Sequence, residues 1–375
     1  MKKKKICIIS SSRAEYGILK ELIIKLKSSK KFKTEVLVTG SHLVTKYGST
    51  YRNIKKDKIK IDYKINVKLN KNDKFSIIKD MSNYLKVFSN TFKKIKPDLI
   101  LVTGDRHEIL CVAIVANIFR IRLAHIHGGE TTLGSYDDGS RNAITKLSNI
   151  HFVSTNKYRT KVIQMGENPK NVFNVGSLSV ETLTKIKKND NFLNNILNFN
   201  FNKKRILISY HPLTANIEKG RKDFNELLNS LKKVKNTSLV FSYPNHDVDS
   251  DYIIVKIKEF VKKNKNSKLF KFVGQENYYQ LLKNFDCIIG NSSSGIIEAP
   301  SAKIPTINIG ERQEGRIMSK SIFSIKAKNV FNTLNKIYKL KGRKKINFTN
   351  PYQKKNTTKN IIEKLNKIKF NEIYK

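Results

Sequence analysis

Acids, histidines and arginines are concentrated in one stretch of the chain, from Gly104 to Ser148: GDRHEILCVAIVANIFRIRLAHIHGGETTLGSYDDGSRNAITKLS. One apolar run ends in Gly104-Asp105-Arg106, and the next ends in His125-Ile126-His127-Gly128-Gly129-Glu130. A loop with paired Asp137 and Asp138 follows, closed by Arg141. Read as two successive parallel strands, these runs deliver their polar residues to the same edge of a sheet. In open α/β sheets the carboxyl ends of the strands are where ligands bind. Carboxylates and imidazoles move protons and arginines grip anions, so the pattern points to an enzyme doing acid/base chemistry on an anionic substrate. Each residue also has a plainer use. Asp105 is placed to cap a helix, Asp137 and Asp138 to close a turn, and His125, with its apolar neighbours, to sit satisfied in a core. A metal site of His125, His127 and Glu130 is disfavoured, because neighbouring strand residues alternate between opposite faces; no metal is expected.

Two further segments have the chemistry to bind phosphate. Ser10-Ser11-Ser12-Arg13-Ala14-Glu15-Tyr16-Gly17 follows the first apolar run and opens a helical pattern. Small hydroxyls and Arg13 at a helix N-terminus suit an anion, since free N–H groups and the helix dipole face it. An N-cap with a solvated arginine is the equal alternative. The segment has neither the GxGxxG nor the GxxxxGK[ST] spacing, so a nicotinamide, flavin or P-loop nucleotide is not indicated. Gly290-Asn291-Ser292-Ser293-Ser294-Gly295-Ile296-Ile297-Glu298 is more specific. Capping needs one serine, and three are present. Ser292 and Ser293 are candidate diphosphate contacts and Glu298 a candidate ribose contact, as the acid of a Rossmann site is. Arg312 ends the next run at the same edge, while His211 in Ser209-Tyr210-His211-Pro212 and Asn245 in Tyr243-Pro244-Asn245 end two others.

The elements that must position these residues alternate strand and helix, which implies parallel sheets. Strands are predicted at Ile6–Ser10, Glu35–Thr39, Asp98–Thr103, Leu123–Ile126, His151–Ser154 and Val172–Val175. Phe75, Ile78, Met81, Leu85, Phe88, Phe92 and Ile95 follow the three/four spacing of a core-facing helix, and Lys55 to Lys74 reads as a lysine-rich surface excursion. The apolar period lapses into Asn and Lys between Lys187 and Lys204, a linker composition. A second series of strands follows at Arg205–Ser209, Ser238–Tyr243, Leu269–Val273, Cys287–Gly290 and Thr306–Ile309, and the tail from Thr357 to Phe370 is amphipathic. At 375 residues, two domains are the expectation. The fold class is α/β: two Rossmann-like doubly wound domains, with a ligand cleft expected between them.

Seventy-four Lys+Arg against 30 Asp+Glu give a formal net charge of +44. Such an excess ordinarily points to a polyanion partner. Here it is mostly lysine, spread through helices and loops beside many Ile and Asn, as an AT-rich coding bias produces. We therefore read no nucleic-acid function into it, though part of it can attract nucleotide phosphates or an anionic membrane surface. Cys7, Cys111 and Cys287 each sit in an apolar run without paired spacing, which fits buried thiols in a cytoplasmic protein. Met1 to Lys5 has the charge of a signal n-region, but Arg13 and Glu15 soon interrupt the apolar run behind it, so a first strand is expected. The run from Ile109 to Phe119 falls short of the ~20 residues that span a bilayer, and no integral membrane association is expected.

Taken together, SSRAEYG, VTGSHL, GDRHE, HIHGGET, YDD..R..ITKLS, VGSLSVE, HP, GNSSSGIIE and INIGERQEGR resemble, in order and over nearly the whole chain, the hydrolysing UDP-N-acetylglucosamine 2-epimerases of the sialic acid and capsule pathways. The resemblance implies the GT-B type of fold, UDP held mainly by the second domain, no cofactor and a homodimer. It maps to an N-terminal domain over residues 1–178, a C-terminal domain over 179–356 and a helix over 357–375 that packs back on the first. By position it implies catalytic roles for Asp105, His127, Asp137 and His211, and substrate contacts for Arg13, Arg106, Glu130, Arg141, Asn245, Ser292, Ser293, Glu298 and Arg312. Two departures stand out. Many relatives have Glu where His127 stands, and the usual Arg-His before the ITK run is Arg141-Asn142 here. The implied reaction converts UDP-N-acetylglucosamine and water to N-acetylmannosamine and UDP. A UDP-2,4-diacetamido-trideoxyhexose is the rival substrate. From another class, a non-catalytic polyanion-binding protein would account for the charge but not for acids and histidines gathered at strand ends.

Overall fold

A computed structural model of the protein describes every residue except 1–2, 46–47, 68–72, 190, 194–198, 245–246, 271–272, 343–344, 369 and 371–375. The chain divides into two compact units. The first comprises Met1–Glu130, Asp137–Glu181 and Lys354–Lys375, and the second Thr131–Tyr136 and Thr182–Gln353.

The first unit is built on seven parallel strands: β1 (Lys4–Ser10), β2 (Phe32–Val38), β3 (Tyr63–Lys64), β4 (Leu99–Thr103), β5 (Arg122–Ile126), β6 (Ile150–Val153) and β7 (Val172–Asn174). Their order is β3-β2-β1-β4-β5-β6-β7, so the winding reverses between β1 and β4. The connecting helices are α1 (Arg13–Lys27), α2 (Tyr51–Lys56), α3 (Lys74–Ile95), α4 (His107–Ile118), α5 (Asp137–Leu147), α6 (Asn156–Gln164) and α7 (Leu178–Lys185). Helices cover both faces, which is why these strands read as continuous apolar runs rather than alternating ones. Ile6, Ile8, Leu99 and Leu101 pack on Leu19, Leu22 and Leu26 of α1 and on Ile361 and Leu365 of the C-terminal helix Thr357–Lys367. The residues between them, Cys7, Ile9, Ile100 and Val102, pack on Phe88 and Phe92 of α3 and Val112 of α4. The C-terminal helix is tied to this unit where Thr357 Oγ1 donates to the Val175 carbonyl (2.8 Å) and Thr358 Oγ1 to Glu181 (2.5 Å). Residues 369 and 371–375 of the predicted tail helix lie outside the described residues.

The second unit has six parallel strands: β8 (Lys204–Ser209), β9 (Thr237–Ser242), β10 (Ser267–Phe270), β11 (Cys287–Gly290), β12 (Thr306–Ile309) and β13 (Ile322–Ile325), in the order β10-β9-β8-β11-β12-β13. Helices α8 (Ile217–Leu231), α9 (Ser250–Lys263), α10 (Gln275–Asn284), α11 (Ser294–Ile297) and α12 (Val330–Gly342) connect them. The switch point lies between β8 and β11. There Gly290 runs so close to Ser209 that a Cβ would lie 1.9 Å from the Ser209 carbonyl oxygen, at a φ of +142° that L residues rarely adopt.

Four expectations need correction. The stripe on α3 is not all core: Phe88, Phe92 and Ile95 are buried, but Phe75 is 80% and Ile78 65% exposed. Regular spacing marks a face, and among the described residues that face is left exposed at Phe75 and Ile78 in the first turns of α3. The lysine-rich excursion from Lys55 contains the edge strand β3. The strand β13 escaped prediction; it is partly exposed on the edge of its sheet, and its run is short. The predicted linker also packs in part, since Asn189 N–H donates to Gln280 Oε1 (3.0 Å) and Phe192 and Leu193 are buried; residues 190 and 194–198 of it lie outside the described residues. The three cysteines are free and buried. Among the described residues no helix is long and apolar enough to cross a membrane.

Candidate active site

In the first unit the residues beyond β4 and β5 and the start of α5 converge on one guanidinium. Arg141, 3% exposed, pairs with Asp105 beyond β4, donates from Nη1 to Asp138 Oδ1 (3.3 Å) and donates from Nη1 to the Glu130 carbonyl (2.9 Å). The residue preceding α4 as its N-cap is Arg106, and Asp105 is engaged by Arg141, so the capping alternative for Asp105 gives way to an ion pair. Asp137 and Asp138 form the first turn of α5. Asn142, at the second departure from the relatives' pattern, donates to Asp138 Oδ2 (3.2 Å).

His127 follows β5 directly, with a φ of +66°. That left-handed conformation is uncommon for a residue with a large side chain. It is held by a backbone bond, His127 N–H to the Phe152 carbonyl of β6 (3.0 Å). Its Nδ1 lies 2.8 Å from Glu130 Oε1, and Ser154 Oγ donates to that same oxygen (2.8 Å). Glu130 is only 2% exposed, so its carboxylate lies behind the imidazole rather than on the surface.

His125 behaves as the core histidine its neighbours implied. Its Nε2 lies 2.8 Å from the Gly104 carbonyl and its Nδ1 3.1 Å from Thr145 Oγ1. Burial pushes its pKa down to about 3, so it is neutral. Its ring nitrogens are spent on these partners. Among the described residues no group of three or more His, Cys, Asp or Glu is placed to hold a metal ion.

A second cluster lies at the end of β1. Ser12 caps α1 by accepting from Glu15 N–H (3.4 Å), and Glu15 in turn accepts from Ser11 N–H (2.6 Å) and Ser11 Oγ (2.8 Å). Burial, and after it the neighbouring Glu108, push the Glu15 carboxyl up to about 8. Burial alone would raise Glu108 as well. The charges of Arg106 and His107 outweigh it, and Glu108 falls to about 2. Of two adjacent buried carboxyls, one is therefore kept charged and the other neutral, the usual outcome when like charges share a site. Arg106 Nε donates to Glu108 Oε1 (2.7 Å). Arg13, the first residue of α1, is half-buried, and that burial lowers its pKa. His42, from the VTGSHL motif, is neutral, its pKa pulled to about 4 by burial; it links Ser10 Oγ (2.9 Å) to Thr50 Oγ1 (2.8 Å).

In the second unit the hub is neutral. The Asn291 side chain clamps the end of β8: His211 N–H donates to Asn291 Oδ1 (2.7 Å) and Asn291 Nδ2 donates to the His211 carbonyl (2.8 Å). The Asn291 carbonyl accepts from Arg312 Nη1 (3.2 Å) and Gln313 Nε2 (2.9 Å). Ser292 and Ser293 lead from β11 into the short α11 and Glu298 caps its C-terminus, with Ser292 Oγ accepting from Ser294 N–H (3.4 Å). Arg312 also lies 3.9 Å from Asp247. Asn245 lies outside the described residues. Glu15, Glu108, Ser154, Asn291 and Gln313 were not among the predicted site residues. Asn291, Glu108 and Gln313 stood inside quoted motifs, and Glu15 stood at the third helical position after a serine, a capping signature; nothing local marked Ser154.

Two doubly wound parallel sheets with ionisable and anion-binding groups at their C-terminal edges define an α/β enzyme acting on nucleotide sugars. The chain belongs to the UDP-N-acetylglucosamine 2-epimerase family, whose model matches residues 24–366, and within it to the hydrolysing 2-epimerases. It is 42% identical over 328 residues to the GDP/UDP-N,N'-diacetylbacillosamine 2-epimerase (hydrolyzing) of Campylobacter jejuni, covering 86% of this chain and 84% of that protein. It is 38% identical over 323 residues to the polysialic acid biosynthesis protein P7 of Escherichia coli, covering 86% and 82%. Its fold matches the crystal structure of UDP-GlcNAc 2-epimerase from Neisseria meningitidis bound to UDP-GlcNAc, with a TM-score of 0.82 over 97% of this chain and 100% of that one, at 21% identity.

Proposed function

We propose that the protein hydrolyses a UDP-linked 2-acetamido sugar with inversion at carbon 2, releasing UDP and the free epimerised sugar. The observation that carries this reading is the convergence of Asp105, Asp138 and, through Glu130, His127 on Arg141 at one sheet edge. Carbon 2 is not next to a carbonyl, so its proton becomes acidic only as the anomeric C–O bond breaks. When UDP departs, positive charge develops at carbon 1 and the carboxylates of Asp105 and Asp137 stabilise it. A base removes the carbon-2 proton to give a glycal. Water then adds at carbon 1 while an acid protonates carbon 2 from the opposite face. Inversion thus needs proton donors and acceptors on both faces of the ring, and Asp105, Asp137 and His127 are our candidates.

In this reading the second unit holds UDP. Ser292 and Ser293 contact the diphosphate, Glu298 the ribose, and Arg312 offsets the charge of the leaving group. Asn245 completes that set, His211 stays with the catalytic candidates, and Arg13 and Arg106 are the candidate anion contacts of the first unit. Arg141 and Glu130, assigned to the substrate from the sequence, act here through Asp105 and His127, because their polar atoms are already engaged. A homodimer in the cytoplasm is the setting the family resemblance supports.

For the sugar itself we favour a UDP-2,4-diacetamido-trideoxyhexose. Of the two relatives above, the one whose name states a sugar is the 42%-identical diacetylbacillosamine enzyme, whereas the UDP-GlcNAc-bound neighbour supports the fold alone. UDP-N-acetylglucosamine is the second reading, favoured by the 38%-identical polysialic acid protein. Incubation with each UDP sugar in heavy water, followed by NMR of the products, tests both. Free UDP and a C2-inverted sugar carrying deuterium at carbon 2 is the expected result, with the diacetamido sugar consumed faster. Turnover of UDP-N-acetylglucosamine alone would overturn the substrate choice, and turnover of neither would overturn the reaction.

A further inference from the structure

We propose that Glu130 is a positioning residue that fixes the tautomer of His127 and so makes Nε2 the proton-transferring atom. This rests on the reading of His127 given above. A carboxylate has no proton to donate. Glu130 Oε1 accepts from Ser154 Oγ (2.8 Å) and faces His127 Nδ1 at 2.8 Å, so the imidazole proton sits on Nδ1. The other nitrogen, Nε2, is buried and has no hydrogen-bond partner among the described residues. Neutral imidazole in water favours the opposite tautomer, with the proton on Nε2, so the preference here is imposed by the protein.

The imposing group is braced from two elements, β6 and α5. Ser154, just beyond β6, holds the carboxylate, while Arg141 of α5 holds the Glu130 main chain through its carbonyl (2.9 Å). The His127 backbone is pinned to Phe152 of β6 in a left-handed conformation, which leaves the ring little freedom to turn its other nitrogen toward the acid. A histidine so held presents an unprotonated Nε2 as a base, and as an acid returns the proton from the same atom. This is the arrangement by which a buried acid orients a catalytic imidazole in hydrolytic triads. In this arrangement the acid orients the ring, and the proton transfer is assigned to the imidazole.

The test combines a spectrum with kinetics. Nitrogen-15 NMR of histidine-labelled protein, on the alkaline plateau where imidazoles are neutral, reports the tautomer of His127, assigned by the signals lost in His127→Gln. We expect the Nδ1–H form in the wild type and reversion to Nε2–H in Glu130→Ala, with kcat lower by about 10²-fold or more and the Kd for UDP unchanged. Glu130→Gln retains an acceptor oxygen of the same reach. It should restore the Nδ1–H form and part of kcat, and it serves as the test if Glu130→Ala does not fold. An Nε2–H signal for His127 in the wild type overturns the proposal, as does a wild-type kcat in Glu130→Ala or, where that variant does not fold, in Glu130→Gln. If the wild type turns over neither UDP sugar, the assigned reaction fails, whereas the spectra still decide whether Glu130 sets the tautomer.

Discussion

The two units share one architecture and differ in what they place at the C-terminal edge of the sheet. In the first, the residues are ionic and braced through charge: Arg141 joins Asp105, Asp138 and the Glu130 carbonyl, and Glu130 backs His127. In the second, the hub is the amide of Asn291, which ties His211 to β11 and gives its carbonyl to Arg312 and Gln313. The contrast follows from the task proposed for each. Moving a proton requires ionisable groups of fixed orientation, and fixing them in a buried place requires a counter-charge. Holding a diphosphate requires N–H and hydroxyl donors with a single added cation, and neutral bonds are enough to preorganise those.

The sharpest way to break this division is to remove charge from the first edge without changing its shape. Asp105→Asn should lower kcat by about 10²–10⁴-fold, the range for loss of an acid/base or charge-stabilising group, with the Kd for UDP unchanged by calorimetry. A weaker Kd at unaltered kcat would place Asp105 with the binding residues and erase the contrast.

The reverse experiment is Asn291→Ala. It leaves the buried His211 N–H and carbonyl without the partners they have now, and such a loss costs about 1–3 kcal/mol per buried group. We expect a lower Tm together with weaker UDP binding, since Asn291 directly precedes Ser292 and Ser293 and its carbonyl accepts from Arg312. An unchanged Kd in a destabilised variant would make Asn291 a brace for the fold alone. A smaller effect is expected for Glu298→Ala, about tenfold in the Kd for UDP, or ~1.4 kcal/mol. Unchanged affinity would remove its assignment as the ribose contact.

Much of this arrangement could be read in the chain. Because helices cover both faces, the inner strands β1, β4, β8 and β11 carry unbroken apolar runs, Ile6–Ile9, Leu99–Val102, Ile206–Ile208 and Cys287–Ile289, that stand out from their flanks. The edge strands β3 and β13 lack that signature, being short and half exposed. Asp105, His127 and Arg312 were legible as candidates because they follow strands directly. Which partner each takes was not legible. Arg141 meets Asp105 across 36 residues, and Asn291 meets His211 across 80, so these pairings are set by the sheet order rather than by local spacing. The apolar spacing of α3 likewise marks a face without saying what covers it, which is why Phe75 and Ile78 were misplaced in the core.

The smallest effect should come from the carboxyl of the first edge that is held neutral. Glu15 has its carboxyl pushed up to about 8 by burial and by Glu108, whereas in the unfolded chain it titrates in the ordinary carboxylate range. Between those limits the folded chain retains a proton that the unfolded chain has released. Stability therefore falls as pH rises through that window, the opposite of the usual carboxylate. Glu15→Gln keeps a polar group of the same size beside Ser11 and has no proton to lose. Its Tm should match the wild type near pH 5 and exceed it near pH 8, by a few degrees at about 2–4 °C per kcal/mol for a folding unit of 150–250 residues. Parallel Tm curves for the two proteins would mean that Glu15 is ionised in the fold. The first edge would then carry two adjacent buried negative charges at the end of β1, and charge balance would no longer distinguish it from the second.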